Sequence, residues 1–360
     1  MKMRLFFYQS IVLLFLSIIP AVSTGQINIG LISGSEPDTN YINDYTDHLT
    51  TRIYTSRKYT NFSLNDQNLK KDIKYHPNDR LNLGIGASYR GFALNIGINF
   101  PFVNNDDDKY GETSYLDLQS HILFRKLTVE FWFSYFKGYY ITNPDQILKQ
   151  WNSPEVYPKR GDMQSLVGGI NSYYILNYKK FSYRAAFAQD EWQKKSAGSL
   201  LLGGSIYGIH VSADSSFIPV NIFDSTFFNG INFNQTTFTT ISANIGYAHT
   251  FVIIKKMFFT FSLNGGLGVG GMNIVSTEPG MESDESKIKI NSNYTFRFAT
   301  GYNSRRAYAG ISYVYSSIQT PTPIEKTNLN FGFGNVRFNF AWRFKVKKKN
   351  FDEKEIDKVL

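Results

Sequence analysis

From Val336 to Val346 the chain alternates without a break. Phe338, Phe340, Trp342 and Phe344 hold even positions, while Arg337, Asn339, Ala341, Arg343 and Lys345 hold odd ones. Successive side chains of a strand point to opposite faces, so this segment has one apolar face and one face that carries three cations. A soluble sandwich buries such an apolar face under a second sheet. Here the pattern recurs along nearly the whole chain, behind an export signal, and that combination points to lipid outside and polar contents inside. The expected fold is all-β: a closed antiparallel up-and-down transmembrane β-barrel spanning residues 49–346.

The N-terminus has the three-part layout of a secretory signal. Met1-Lys2-Met3-Arg4 is basic, Leu5 to Ile19 is apolar, and Pro20 to Gln26 supplies small residues for a peptidase. Residues 1–25 read as the signal, cut after Gly25. The apolar run is shorter than the ~20 residues a spanning helix needs. No cysteine occurs anywhere, which excludes lipoprotein attachment, disulfide staples and thiolate metal sites. Mean hydropathy is −0.27, low for a helical membrane protein but natural for a barrel, where half of every strand faces water. Residues 26–48 read as a lead-in or a lumen plug, and residues 347–360 as a charged tail. The net charge of +9 raises nucleic acid as a partner, but export and dispersed cations argue against it. Basic turns beside anionic head groups of outer-membrane lipid are the simpler reading.

Period-two patterning marks a series of hairpins. Leu81–Arg90 faces Phe92–Phe100, and Ser114–Arg125 faces Leu127–Tyr140. Gln164–Tyr178 is expected to pair with Phe181–Glu191 across Lys179-Lys180, with Leu200–Ala213 following. Thr236–Ile254 pairs with Met257–Val275, Lys287–Tyr302 with Ala307–Ile318, and Asn328–Val346 closes the sheet. Short basic turns (Arg90-Gly91, Arg125-Lys126, Lys179-Lys180, Lys255-Lys256, Asn303–Arg306) contrast with long polar loops (Val103–Thr113, Ile141–Met163, Glu278–Ser286, Thr320–Thr327). Short turns on one rim and long loops on the other are the barrel habit. Keeping the short turns on one rim requires either a further strand within Phe217–Phe228, which Pro219 weakens, or a non-spanning Leu200–Ala213. With Leu49–Phe62 as the first strand, about 12–14 strands result.

The inward faces gather Arg90, Asp117, His121, Glu130, Arg184, Asp190, Arg297, Arg337 and Arg343. Both signs occur, which suits paired side chains in a narrow, partly filled lumen rather than a single-sign selectivity ring. The sharpest catalytic candidate is His210-Val211-Ser212, where residues two apart share a strand face and the imidazole can serve as base to the hydroxyl. It resembles the His-x-Ser pair of outer-membrane phospholipase A and of the lipid A deacylase barrels. The phospholipase continues with Asn-Gly where this chain has Ala213-Asp214. Those enzymes point the pair at lipid, whereas Tyr207, Ile209 and Val211 make the better apolar face here, which turns His210 and Ser212 into the lumen. The carboxylates of Asp106-Asp107-Asp108 suit calcium but lack the spacing of a loop site, and a solvated loop tip fits them better. The glycine-rich run Gly265–Gly271 lies inside a strand with no helix after it, so close wall packing explains it better than a phosphate loop. No cofactor and no metal site is implied.

Several segments together resemble the exported domain-of-unknown-function family numbered 4421, found in Gram-negative bacteria. They are Tyr45 to Tyr59 with Leu49-Thr50-Thr51-Arg52-Ile53-Tyr54, then Tyr75-His76-Pro77-Asn78, Leu83 to Tyr89, and Lys137-Gly138-Tyr139-Tyr140. The resemblance implies an outer-membrane barrel over nearly all of the mature chain and brings no activity or site residues. Phe340 to Phe344 resembles the aromatic signal read by barrel-assembly machinery, except that 16 residues follow it. Three roles stand open: a small pore or interaction scaffold with solute or protein partner unknown, a lipid esterase using Ser212 and His210, and a subunit of an export or adhesion assembly.

Overall fold

The computed structural model describes residues 36–89, 92–99, 106–149, 151, 153, 155–222, 224–276 and 288–346, with the side chains of 92–94, 98–99, 117 and 119–121 left aside. The expected signal (1–25), the tail (347–360) and the turn at Arg90-Gly91 lie outside the described residues. The alternating segments form β2 (His48–Asp66), β3 (Lys71–His76), β4 (Leu81–Tyr89), β5 (Phe92–Asn99), β6 (Ser114–Leu123) and β7 (Leu127–Ile141). They continue as β8 (Lys159–Ile175), β10 (Ala197–Ser212), β11 (Phe233–Ile254), β12 (Met257–Ser276), β13 (Ile288–Asn303), β14 (Ala307–Pro321) and β15 (Thr327–Lys345). Two short strands, β1 (Ile42–Asp44) and β9 (Glu191–Gln193), pair with each other apart from the main sheet.

Among the described residues thirteen strands make one antiparallel sheet. It closes where β15 pairs with β2 over the whole length Thr327↔Asp66 to Lys345↔His48. The closed circuit has ten strands and runs from β2 through β3 to β7, while β4 and β5 extend the other half of β2 and β6 lines β7. Two counts therefore stand beside the expected 12–14: ten in the circuit and 13 in the sheet. The turns at Lys255-Lys256 and Asn303–Arg306 lie on one rim with the start of β2 and the end of β15.

One expected hairpin is absent. Phe181–Glu191 is not a wall strand: Tyr183–Phe187 is a short helix whose first turn is capped by Ser182, and Glu191 begins β9. β8 pairs directly with β10, so residues 176–196 form a lobe at the short-turn rim instead of crossing. This removes the parity conflict. Leu200–Ala213 spans as β10, and the described residues of the Phe217–Phe228 region contribute no strand but fold over the barrel mouth.

The strands are about twice as long as a membrane requires. β11 has 22 residues, β12 has 20 and β2 has 19, against the roughly 9–11 that cross a bilayer. Partway along, the apolar side changes face. On β15, Phe338, Phe340, Trp342 and Phe344 are exposed outward, whereas Leu329, Phe331 and Phe333 are buried inward. On β12, Thr260, Ser262 and Asn264 point inward near the short-turn rim, and Met272 and Ile274 point inward near the loops. Gly266, Gly268 and Gly270 lie between them, where any Cβ would strike the neighbouring strand at Asn244, Ser242 or the carbonyl of Thr239. The half towards the short turns is thus apolar outside and polar inside, and the loop half is the reverse.

Candidate functional site

In the belt-enclosed half the lumen is crossed by a buried ion pair, Arg297 Nη2 donating to Glu130 Oε2 at 2.5 Å. The Arg337 guanidinium lies 4.5 Å from the Tyr54 ring centroid. A charge left unpaired there would be strongly destabilising, so pairing and ring contact are what allow cations in the interior. Beneath this level the 176–196 lobe fills the lumen. Wall side chains donate to its backbone carbonyls: Arg52 Nη2 to Ala188 at 3.1 Å, Asn303 Nδ2 to Ala185 at 3.1 Å, Tyr308 Oη to Ala186 at 3.0 Å and Arg343 Nε to Gln189 at 2.7 Å. Arg125 grips Glu191 through two bonds of 2.9 and 2.5 Å, Ser182 Oγ donates to the same carboxylate, and Arg184 pairs with Asp190. Burial pushes the Glu191 carboxyl up to about 7, against the pull of Arg125 and Arg184.

The loop half is a dry core. Phe62, Leu64, Tyr75, Ile209, Val211 and Phe331 of the wall pack with Phe217, Phe227 and Phe228 of the loop after β10. Phe217 sits edge-on to both Phe62 and Phe233, with centroids 5.5 and 5.4 Å apart. Between the two fillings lies a cavity of about 70 Å³ lined by Glu130, Trp132, Tyr183, Arg297, Arg337 and Asn339 among others. Trp132 Nε1 and both amide atoms of Asn339 are buried without a hydrogen-bond partner among the described residues. The cavity is large enough for a few waters.

Of the residues expected in the lumen, Glu130, Arg297, Arg337 and Arg343 point inward from wall strands, and Arg184 and Asp190 belong to the lobe. Arg90 lies outside the described residues, as do the side chains of Asp117 and His121. The sequence reading missed Arg52, Arg125, Ser182, Glu191 and Asn303, the main partners that fasten the lobe. The only available signal was the parity conflict.

The face expected for His210 and Ser212 is corrected. Tyr207, Ile209 and Val211 are buried in the dry core, whereas Leu200, Leu202 and Ile206 are exposed, so even positions of β10 face outward. The strand switches its apolar side at Ile206-Tyr207, and the lower residues, not Ile209 and Val211, mark the lipid side. His210 Nδ1 lies 2.7 Å from Thr237 Oγ1. Ser212 Oγ accepts from Gln164 Nε2 at 3.1 Å, and Gln164 Oε1 accepts from Tyr135 at 3.0 Å. Asp106 and Asp107 each accept from Asn78 Nδ2 at 3.0 Å, and Asp107 pairs with Arg80 at 2.6 Å. Those carboxylates brace a short helical turn.

A closed antiparallel sheet with an apolar outer belt, paired charges inside it and a filled interior defines an integral membrane β-barrel. The chain belongs to the family described as domain of unknown function DUF4421, which matches residues 36–344. Solved outer-membrane barrels resemble it distantly. The outer membrane protease OmpT of Escherichia coli has 7% identity and a TM-score of 0.39, covering 84% of this chain and 98% of its own. The toluene transporter TodX of P. putida has 7% identity and a TM-score of 0.23, covering 84% of this chain and 91% of its own. Among curated proteins none matches.

Proposed function

We propose that this chain is an outer-membrane barrel that works as a non-conducting interaction scaffold, exported by its N-terminal signal and presenting its loops on a braced crown. The filled lumen carries this reading. A lobe held by donors from several strands occupies one end, an aromatic core occupies the other, and the cavity between them is about 70 Å³. Solute passage would require breaking up one filling or the other. The test is conductance of the purified barrel in planar bilayers: closed membranes are expected, and stable single-channel steps from the unaltered chain would sink the proposal. Residue-level partners on the crown belong to an export or adhesion assembly in this reading, and co-purification from the native membrane identifies them.

A second reading is lipid-ester hydrolysis by Ser212, carried by the outer-face register that half-buried His210 and buried Ser212 share just beyond the apolar belt and by Thr237 bonding one imidazole nitrogen. It expects the Ser212→Ala variant to lose esterase activity in detergent. Hydrolysis by the variant at the unaltered rate ends it.

A further inference from the structure

The two rims differ in how they carry charge. On the loop rim three cations meet carboxylates, Lys74 with Asp72 at 3.2 Å, Arg80 with Asp107 at 2.6 Å and Arg160 with Asp162 at 2.9 Å, while Lys70 and Lys149 are exposed and far apart in sequence. On the short-turn rim exposed cations come in adjacent couples, Lys179-Lys180, Lys255-Lys256 and Arg305-Arg306, with Lys345 exposed beside them. Among the described ion pairs none involves these seven side chains; the pairs at this end are Arg125 with Asp44 and Glu191, Arg184 with Asp190 and Glu191, and His48 with Asp47. Like charges placed side by side repel, so such an arrangement gains from an external anion.

The depth of these cations says which anion. Ile254 and Met257, exposed at 71% and 44%, flank Lys255-Lys256 directly, and exposed Phe344 precedes Lys345. Lys256 Nζ lies 5.8 Å from the ring centroid of Tyr302, itself exposed on the outer wall. Chains this long lay their methylene stems along apolar surface and hold their charge at its border. The border of the apolar belt is where phospholipid phosphates lie, and the Lys255-Lys256 turn sits directly on that border, with exposed apolar side chains on both sides of it. We infer that the short-turn rim is a binding site for the phosphodiester head groups of anionic phospholipid, in the leaflet that this rim enters. The inference rests on the barrel spanning a membrane and is indifferent to whether the lumen conducts.

The test uses the full chain in vesicles of phosphatidylcholine containing spin-labelled phosphatidylglycerol or spin-labelled phosphatidylcholine, with relative association at the protein surface as readout. Phosphatidylglycerol is expected to be preferred by about fivefold at low salt, with the preference falling toward parity at high salt. The variant Lys255→Gln/Lys256→Gln/Arg305→Gln/Arg306→Gln is expected to lose most of it, while Lys70→Gln/Lys149→Gln on the loop rim keeps it. Equal association of the two lipids with the unaltered protein overturns the inference. So does a preference that survives both high salt and the fourfold variant, and so does binding of soluble polyglutamate without any lipid preference. Heat-shifted gel mobility reads barrel insertion separately, so loss of lipid preference and loss of the barrel are told apart, and the unaltered chain decides by itself if the fourfold variant does not insert.

Discussion

The belt-enclosed half and the loop half are wound from the same strands, yet they are stabilised in opposite ways. In the loop half, Phe62, Leu64 and Phe331 leave water for a packed interior, and each fully buried side chain of this size contributes roughly 1.5–3 kcal/mol. In the belt half the outer residues face lipid, which is as apolar as they are, so that gain has no counterpart between side chains there. What holds that half is the closed ladder together with Glu130–Arg297 and the donors aimed at the lobe. A single strand such as β12 must serve both schemes. It does so by moving its apolar residues from odd positions (Leu263, Leu267, Val269) to even ones (Met272, Ile274).

The comparison can be broken at three places. Phe331→Ala, in the dry core, is expected to cost about 3–5 kcal/mol in urea unfolding from detergent; a loss under about 1 kcal/mol would show that the loop half is not packed as described. On the outer wall, Leu267→Arg in the belt is expected to cost about 2–4 kcal/mol, while Ser63→Arg, on the same outer face beyond the belt, stays within about 0.5 kcal/mol. Equal costs would erase the boundary between the halves. The smallest effect concerns Glu191 in the lobe, whose carboxyl is raised to about 7 by burial. A raised folded-state pKa means the folded lobe holds this proton more tightly than the unfolded chain. Its contribution to stability is therefore full below the ordinary carboxylate range and is lost as pH rises through about 7. Melting in detergent between pH 5 and pH 8 is expected to fall more for the unaltered protein than for Glu191→Gln, and parallel slopes would count against the upward shift of this carboxyl.

Much of this was legible in the residues, but unevenly. The closing strand, the hairpins across Lys255-Lys256 and Asn303–Arg306, and the clustering of short turns on one rim all follow from local alternation and turn chemistry, which act over a few residues. The reversal of polarity was not legible, because alternation has the same period whichever face is apolar. Leu200, Leu202 and Ile206 followed by Tyr207, Ile209 and Val211 read as one blurred strand, and His210 was accordingly assigned to the wrong side. The lobe misled for a different reason. Phe181 and Tyr183 mimic strand alternation, while the groups that seat the Ser182-capped helix in the lumen come from Arg52, Asn303, Tyr308 and Arg343, all distant in sequence. Only the disagreement between rims announced that something there failed to cross.

The surplus strand length has a spatial consequence. Roughly ten residues per long strand remain after a bilayer has been crossed, and at ~3.3 Å each along a tilt of about 40° they raise the crown roughly 25 Å above the membrane surface. A stiff pedestal of that height keeps the loop after β10 and its aromatic anchors clear of the lipid and wholly in water.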